Sequence, residues 1–225
     1  MAERNLDSRD AACPYCGYRF PRLPKCQRSC PACKMMIFVK STPDNRVKRP
    51  MTEANADEAD KLWAAYNVRQ EYLRILYPFG LDARHIEERI ALGHSEASAI
   101  RFLLSSVAEK SPDLHKRQMA YSRLAILADR ERQPFQELLT RRTLWQLLHL
   151  KRSSVKRVSI LTGGHGHACT RCVATHGEVW DIDEALKVMP IPRPRCTARA
   201  LYSNRTGCCT CLWVADVSHL NSKTQ

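Results

Sequence analysis

The sequence lacks any apolar run that approaches the roughly 18–20 residues needed to span a bilayer. Its first residues, MAERNLDSRDAACPYC, contain no apolar core of the kind found in secretory signals. It also has no low-complexity tract, and no internal repeat apart from two cysteine-bearing segments. With hydrophobic residues at 44%, we therefore expect a globular, cytoplasmic chain that makes no membrane contact.

Acidic residues are scarce relative to basic ones, and the imbalance is uneven along the chain. There are 23 Asp and Glu against 36 Lys and Arg, which gives a net charge of +13. Residues 1–50 carry +7 and residues 151–200 carry +5, whereas residues 51–100 carry −4. A basic excess of this size suggests a polyanionic partner such as DNA or RNA. The alternative is a generally basic protein without such a partner.

Two Cys-x-x-Cys pairs near the N-terminus have the spacing of a zinc ribbon. They are Cys13 with Cys16, and Cys30 with Cys33. Each pair places two thiolates on one side of a metal, and two pairs complete a tetrahedral site. Four thiolates leave no open position, which indicates a structural ion, with rubredoxin-like iron as the alternative to zinc. Cys26 is left over as a spare thiol.

Basic and aromatic residues surround these cysteines. Such side chains on a ribbon can bind phosphates and stack on bases, while the alternative is a solvated basic hairpin. The candidate nucleic-acid-binding residues here are Arg19, Arg22, Lys25, Arg28 and Lys34, with Tyr15, Tyr18 and Phe20 among them. A second basic cluster, Lys151, Arg152, Lys156 and Arg157, lies before the second cysteine segment.

The second cysteine segment predicts a second zinc site. Cys169, Cys172 and Cys196 supply three ligands, and the fourth is either Cys209 or Cys211. Alternate residues of a strand face the same side, so spacing does not decide between these two. Cys208 is expected to face away from the metal.

Histidines near the second segment raise the alternative of a metal-dependent nuclease. His165, His167 and His176 are the candidates, because HNH-type nucleases combine histidines with zinc knuckles. That interpretation also requires an Asn or His on the following short helix, and residues 183–189 contain neither.

The hydrophobic spacing predicts the fold class: mainly α, with two small β-containing zinc modules. Five helices with short connections are expected between the cysteine segments. Caps are expected at Asn55, Ser95 and Ser111, Pro134 is expected to open the last of these helices, and Asp181 is expected to cap a later short helix. Alternation at Val158 and Ile160, and the runs 178–180 and 211–214, predict short strands. The predicted parts are a zinc ribbon (1–40), a linker (41–52), a helical domain (53–152) and a C-terminal α+β zinc-binding module (153–225).

The second cysteine segment resembles a known phage sequence. It reads Ala168-Cys-Thr-Arg-Cys172, Gly177-Glu-Val, Asp183-Glu-Ala185, Pro190-Ile-Pro192, Arg193-Pro-Arg-Cys196 and Cys209-Thr-Cys211. This run resembles the cysteine-rich tail of phage Mu-like minor head (head morphogenesis) proteins. Arg193 stands where that family has His, and residues 197–208 separate Cys196 from the Cys-x-Cys. The overall layout also resembles phage or bacterial zinc-ribbon proteins without assigned activity.

These patterns favour a non-enzymatic protein with two zinc sites that contacts nucleic acid through its basic terminal modules. The alternative is a phage-related structural or protein-interaction scaffold, in which zinc only maintains shape. The nuclease is the third hypothesis.

Overall fold

The protein is mainly helical, with two small three-stranded antiparallel sheets, as the sequence predicted. The structure, a computed structural model, describes residues 11–163, 168–193, 196–198 and 207–217. The chain forms two compact units, residues 1–74 and 75–225, which are described separately below. Within the described residues, no helix is both long and apolar enough to cross a membrane.

The first unit contains a small sheet followed by a long helix. Strands β1 (Arg28–Ser29), β2 (Met36–Lys40) and β3 (Arg49–Met51) pair in that order, each antiparallel to its neighbour. Part of the segment predicted as an extended linker thus forms β3. Pro50, which lacks an N–H, is tolerated there because β3 is an edge strand.

Helix α1 (Glu53–Leu76) packs its first turns against this sheet. Ala56 and Ala59 are buried in a small cluster with Met51. The indole N–H of Trp63 donates to the carbonyl oxygen of Ser41 at 2.8 Å. The first turns of α1 therefore pack directly against the segment that follows β2.

The second unit begins with four helices that pack in sequence order. They are α2 (Ala83–Ala91), α3 (Glu96–Lys110), α4 (Leu114–Arg130) and α5 (Gln136–Arg152). Each helix contacts the next, and the interface between α4 and α5 is the most extensive. Together with α1 they are the five central helices that the spacing predicted.

Two of the predicted helix caps are present. The hydroxyl of Ser95 accepts the N–H of Ser98 at the start of α3. The carboxylate of Asp181 accepts the N–H of Asp183 at 2.8 Å, at the start of a later helix. Both caps satisfy N–H groups that the first turn leaves without a helical partner.

Other helix starts differ from the prediction. α1 begins after Thr52, whose hydroxyl accepts the N–H of Asn55, so Asn55 is not the cap. α4 begins after Asp113 rather than Ser111, because the Asp113 carboxylate accepts two N–H groups of the first turn. Similarly, α5 begins after Phe135, one residue beyond Pro134.

The C-terminal sheet consists of three antiparallel strands with β4 at its centre. The strands are β4 (Arg157–Leu161), β5 (Val179–Asp181) and β6 (Leu212–Ala215), in the order β5-β4-β6. Two short helices, α6 (Thr170–Val173) and α7 (Ile182–Val188), lie between β4 and β6 in the sequence.

One core joins this sheet to helix α5. Val158, Ile160 and Trp213 from the sheet are fully buried together with Leu147 of α5 and with five cysteines. The predicted helical domain and C-terminal module thus share apolar contacts, and this core surrounds the second cysteine group.

Candidate metal centres

The first candidate centre is built from two turns with the same backbone geometry. In the first turn, the N–H of Gly17 donates to the carbonyl oxygen of Cys13 (2.9 Å), and the N–H of Cys13 donates to that of Tyr18 (2.8 Å). The second turn repeats both bonds at the same lengths, from Lys34 to Cys30 and from Cys30 to Met35.

Both turns require a left-handed residue directly after the second cysteine. Gly17 has φ +73° and Lys34 has φ +64°. Glycine adopts this conformation without steric cost, whereas a side chain makes it unfavourable. Glycine at position 17 is the residue type that such a turn favours, whereas no sequence signal marks the same conformation at Lys34.

The four sulfur atoms of these turns form one compact group. The sulfurs of Cys13, Cys16, Cys30 and Cys33 all lie within 4.8 Å of one another. Two of the separations are 3.8 Å (Cys13 to Cys33) and 3.7 Å (Cys16 to Cys30). Zinc–sulfur bonds of ~2.3 Å in a tetrahedron place sulfurs about 3.8 Å apart. These four residues can therefore hold one tetrahedral metal ion.

The thiols of this group differ in their affinity for a proton. Burial raises the pKa of Cys30, but N–H groups of Cys33 and Ala32 donate to its sulfur, and the resulting pKa is about 7. A backbone N–H from Tyr18 lowers the pKa of Cys16, yet desolvation and the neighbouring thiols raise it to about 12. Crowded thiols cannot all ionise without a cation, which a metal would supply.

Cys26 does not belong to this group. Its side chain is exposed, and it is absent from the sulfur clusters of the described residues.

The second candidate centre contains five buried cysteines. Cys169 precedes α6, Cys172 lies within it, and Cys209 and Cys211 precede β6. Cys196 lies in the segment after α7, and all five side chains are at most 7% exposed.

The five sulfurs form two overlapping groups of three. Cys169, Cys172 and Cys196 make one group, with separations of 3.4, 3.7 and 3.8 Å. Cys172 also belongs to a second group with Cys209 and Cys211, whose members lie within 4.8 Å of one another. The structure thus brings together every cysteine predicted for the second site, and it leaves the choice between Cys209 and Cys211 open.

Backbone N–H groups also favour thiolates at this centre. Burial raises the pKa of Cys169, while N–H groups of Thr197 and Cys172 lower it, to about 6 overall. A bond from the Cys211 thiol lowers the pKa of Cys209 to about 5, and the pKa of Cys211 is raised in return. Desolvation raises the pKa of Cys172 to about 11 and also raises that of Cys196, so these thiols cannot all ionise without a cation, which a metal would supply.

Arg142 on α5 is a functional residue that sequence reasoning missed. Its side chain is only 8% exposed, and its guanidinium donates to the carbonyl oxygens of Cys211 (2.8 Å) and Cys209 (3.4 Å). The sequence did contain a signal for the burial of Arg142, because it follows Leu138 by four residues and Leu139 by three and so lies on the apolar side of the helix.

Gln146, one turn further along α5, holds the adjoining strand. Its amide nitrogen donates to the carbonyl oxygen of Trp213 (2.8 Å), and its amide oxygen accepts the Trp213 N–H (3.1 Å). This side chain thus pairs with β6 as a neighbouring strand would. Together with Arg142, it anchors the segment 209–213 to α5.

Cys208 does not join the sulfur group. It packs against an apolar cluster of α4 and α5 that contains Phe135 and Leu139.

The predicted nucleic-acid-binding residues are all exposed, but they differ in their ion pairs. Lys151 pairs with Asp183, and Arg157 pairs with Asp216 at 3.3 Å. No acidic partner is found among the described residues for the ribbon cations Arg19, Arg22, Lys25, Arg28 and Lys34, nor for Arg152 and Lys156.

Of the histidines considered for a nuclease, His165 and His167 lie outside the described residues. His176 is exposed, and its Nδ1 lies 3.1 Å from the Thr162 hydroxyl.

Comparisons with family models, curated proteins and solved structures found no match to this chain. The resemblance to phage minor head proteins and to phage zinc-ribbon proteins therefore stays a prediction.

Proposed function

We propose that this chain is a non-enzymatic zinc-binding protein that contacts nucleic acid through its N-terminal ribbon. The carrying observation is the four-sulfur group of the ribbon, which lies within described residues 11–40, where every charged side chain is basic. Zinc suits both centres, because it prefers four thiolates in tetrahedral geometry and supplies folding free energy to small modules. A site filled by four protein ligands has no position for substrate, which supports a structural role.

The ribbon surface supports a polyanionic partner. Residues 11–40 contain six Lys and Arg and no Asp or Glu. Lys40 pairs with Asp60 of α1, and the other five are exposed. Lys34 lies in the second metal-binding turn and the other four lie between the two turns, so a metal that fixes both turns would hold these cations close together for contact with phosphates.

Two exposed tyrosines favour single-stranded nucleic acid over a duplex. Tyr15 is 40% exposed and Tyr18 is 37% exposed, both on the first metal-binding turn, whereas Phe20 is buried in the ribbon core. Aromatic side chains beside cations form the stacking platforms used by single-strand binders. The base-stacking role expected of the three aromatics therefore falls to the two tyrosines.

The second basic cluster is a weaker candidate surface. Lys151 and Arg157 already form ion pairs, which a phosphate would have to displace. We assign the main contact to the ribbon and a secondary one to Arg152 and Lys156.

The test has two stages. Mass spectrometry under native conditions should first find two zinc ions per chain. Fluorescence anisotropy with labelled single- and double-stranded DNA and RNA then measures affinity across a salt series. We expect micromolar or tighter binding, with the logarithm of the binding constant falling steeply as salt increases.

A matched pair of variants locates the contact. Arg22→Ala/Lys25→Ala/Arg28→Ala should reduce the salt slope by about 2 for single strands, at ~0.7 per lost phosphate contact. Lys61→Ala/Lys110→Ala/Lys116→Ala removes the same charge from exposed positions elsewhere and should leave the slope nearly unchanged. Absence of binding at low salt, or equal losses in both variants, contradicts the proposal. The phage-related protein-interaction scaffold would then be the better account.

A further inference from the structure

The second metal centre offers five sulfur donors to an ion that takes four. Three of them, Cys169, Cys172 and Cys196, form a mutually close group that can occupy three corners of a tetrahedron. Cys209 and Cys211 remain for the fourth corner. The first centre shows the contrasting arrangement, since four sulfurs form one group there and Cys26 is exposed outside it.

Cys209 and Cys211 are alike in their burial and in their proximity to Cys172. Each is 1% exposed, and each sulfur lies within 4.8 Å of the Cys172 sulfur and of the other. They are two residues apart directly before β6, and their sulfurs lie within 4.8 Å of each other, on the same side of this segment. Neither sulfur belongs to the group of Cys169, Cys172 and Cys196, so either one would reach the vacant corner by rotation of its side chain.

The backbone of this segment is held in a way that does not depend on which sulfur binds. Arg142 donates to the carbonyl oxygens of both Cys209 and Cys211. Immediately afterwards, Gln146 bonds both the N–H and the carbonyl of Trp213. An exchange of donors therefore requires only side-chain rotation, while the main chain stays bound to α5.

We propose that Cys209 and Cys211 are interchangeable donors for a single coordination position of the second centre. The metal would bind Cys169, Cys172 and Cys196 permanently, and either of the two remaining thiolates would complete the tetrahedron. The centre would then keep its metal when one of the two sulfurs is lost. This inference rests on the proposed metal binding, and it adds a ligand redundancy that the first centre lacks.

Zinc content and affinity of serine variants test the redundancy. Cys209→Ser and Cys211→Ser should each retain two zinc ions per chain by native mass spectrometry. In competition with a chelator, each should bind the second ion within tenfold of the unaltered protein. The Cys209→Ser/Cys211→Ser variant and the control Cys172→Ser should retain one ion.

Several results would overturn the inference. A hundredfold difference between the two single variants would show a dedicated ligand. Loss of the ion in both single variants, or three ions in the unaltered protein, would show that both sulfurs bind at once. Failure of the unaltered protein to bind a second ion would instead reject zinc binding at the second centre, and binding of no ion at all would reject the proposed zinc function.

A spectroscopic measurement keeps the inference testable if a variant does not fold. The unaltered protein can be loaded with ¹¹³Cd, which substitutes for zinc in thiolate sites. Correlation spectra should then connect the second cadmium ion to the β protons of both Cys209 and Cys211. Coupling to one of these residues only would contradict the exchange.

Discussion

Replacement of Arg142 by Met should weaken the second metal centre although Arg142 is not a ligand. Its guanidinium donates to the Cys211 carbonyl at 2.8 Å and to the Cys209 carbonyl at 3.4 Å, from a side chain that is 8% exposed. Burial lowers the pKa of Arg142, and the nearby cysteines act in the opposite direction. The residue therefore combines backbone support with a positive charge beside the thiolates.

The magnitude follows from these contacts. The shorter, charge-assisted bond contributes about 1.5–3 kcal/mol, and the longer one, near the distance limit, adds less than ~1 kcal/mol. Met restores most of the apolar volume, and it removes a buried Nε that has no hydrogen-bond partner among the described residues. Removal of this unpaired Nε offsets roughly 1 kcal/mol of the loss from the two hydrogen bonds. We expect a net loss of about 2 kcal/mol in the free energy of unfolding of the metal-loaded protein.

Metal affinity should fall as well. Partners that position metal ligands typically change affinity by about 10- to 100-fold when they are replaced. Four thiolates around a divalent ion carry excess negative charge, which the guanidinium partly offsets. The assay is chelator competition at the second centre, combined with urea denaturation of the zinc-loaded protein.

Arg141→Met is the matched control. Arg141 adjoins Arg142 on α5, but its side chain is 49% exposed and it pairs with Glu137 at 2.8 Å, four residues away. Such an exposed pair contributes only about 0.3–0.5 kcal/mol. Equal effects of the two substitutions, or unchanged metal affinity in Arg142→Met, would contradict this role of Arg142.

Three further predictions concern the ribbon. Gly17→Ala should lower the free energy of unfolding of the zinc-loaded ribbon by about 1 kcal/mol, because φ at this position is +73°. Lys34→Gly should not lower it, because glycine relieves the same strain at φ +64°. Thermal unfolding compares the two variants. Zinc affinity of the first centre should rise with pH, because Cys16, whose pKa is raised to about 12, must release a proton when the metal binds. Calorimetry in buffers of different ionisation enthalpy would detect that proton. A binding heat that does not depend on the buffer would contradict the prediction. Cys26→Ser should leave two zinc ions bound, and loss of an ion would place Cys26 among the ligands.

Much of the fold could be predicted from the sequence because local signals dominate it. The central helices carry regular apolar spacing, and short polar connections separate them. Helix starts were less predictable, since several neighbouring residues can cap. At α4, for example, both Ser111 and Asp113 offer side-chain oxygens, and the carboxylate that accepts two N–H groups prevails. β3 was missed as a strand because pairing with β2 is not visible in three residues that include Pro50.

The ligands of the first candidate centre could be identified from the sequence alone. Two Cys-x-x-Cys turns place their sulfurs through local hydrogen bonds, so the spacing alone indicates which four thiols meet. The grouping of the cysteines in the second centre depends instead on tertiary packing. Its cysteines come from three separate segments, and the last of these is positioned by Arg142 and Gln146 of α5, which precede it by more than 60 residues. Contacts over that separation depend on packing, which periodicity and spacing do not encode.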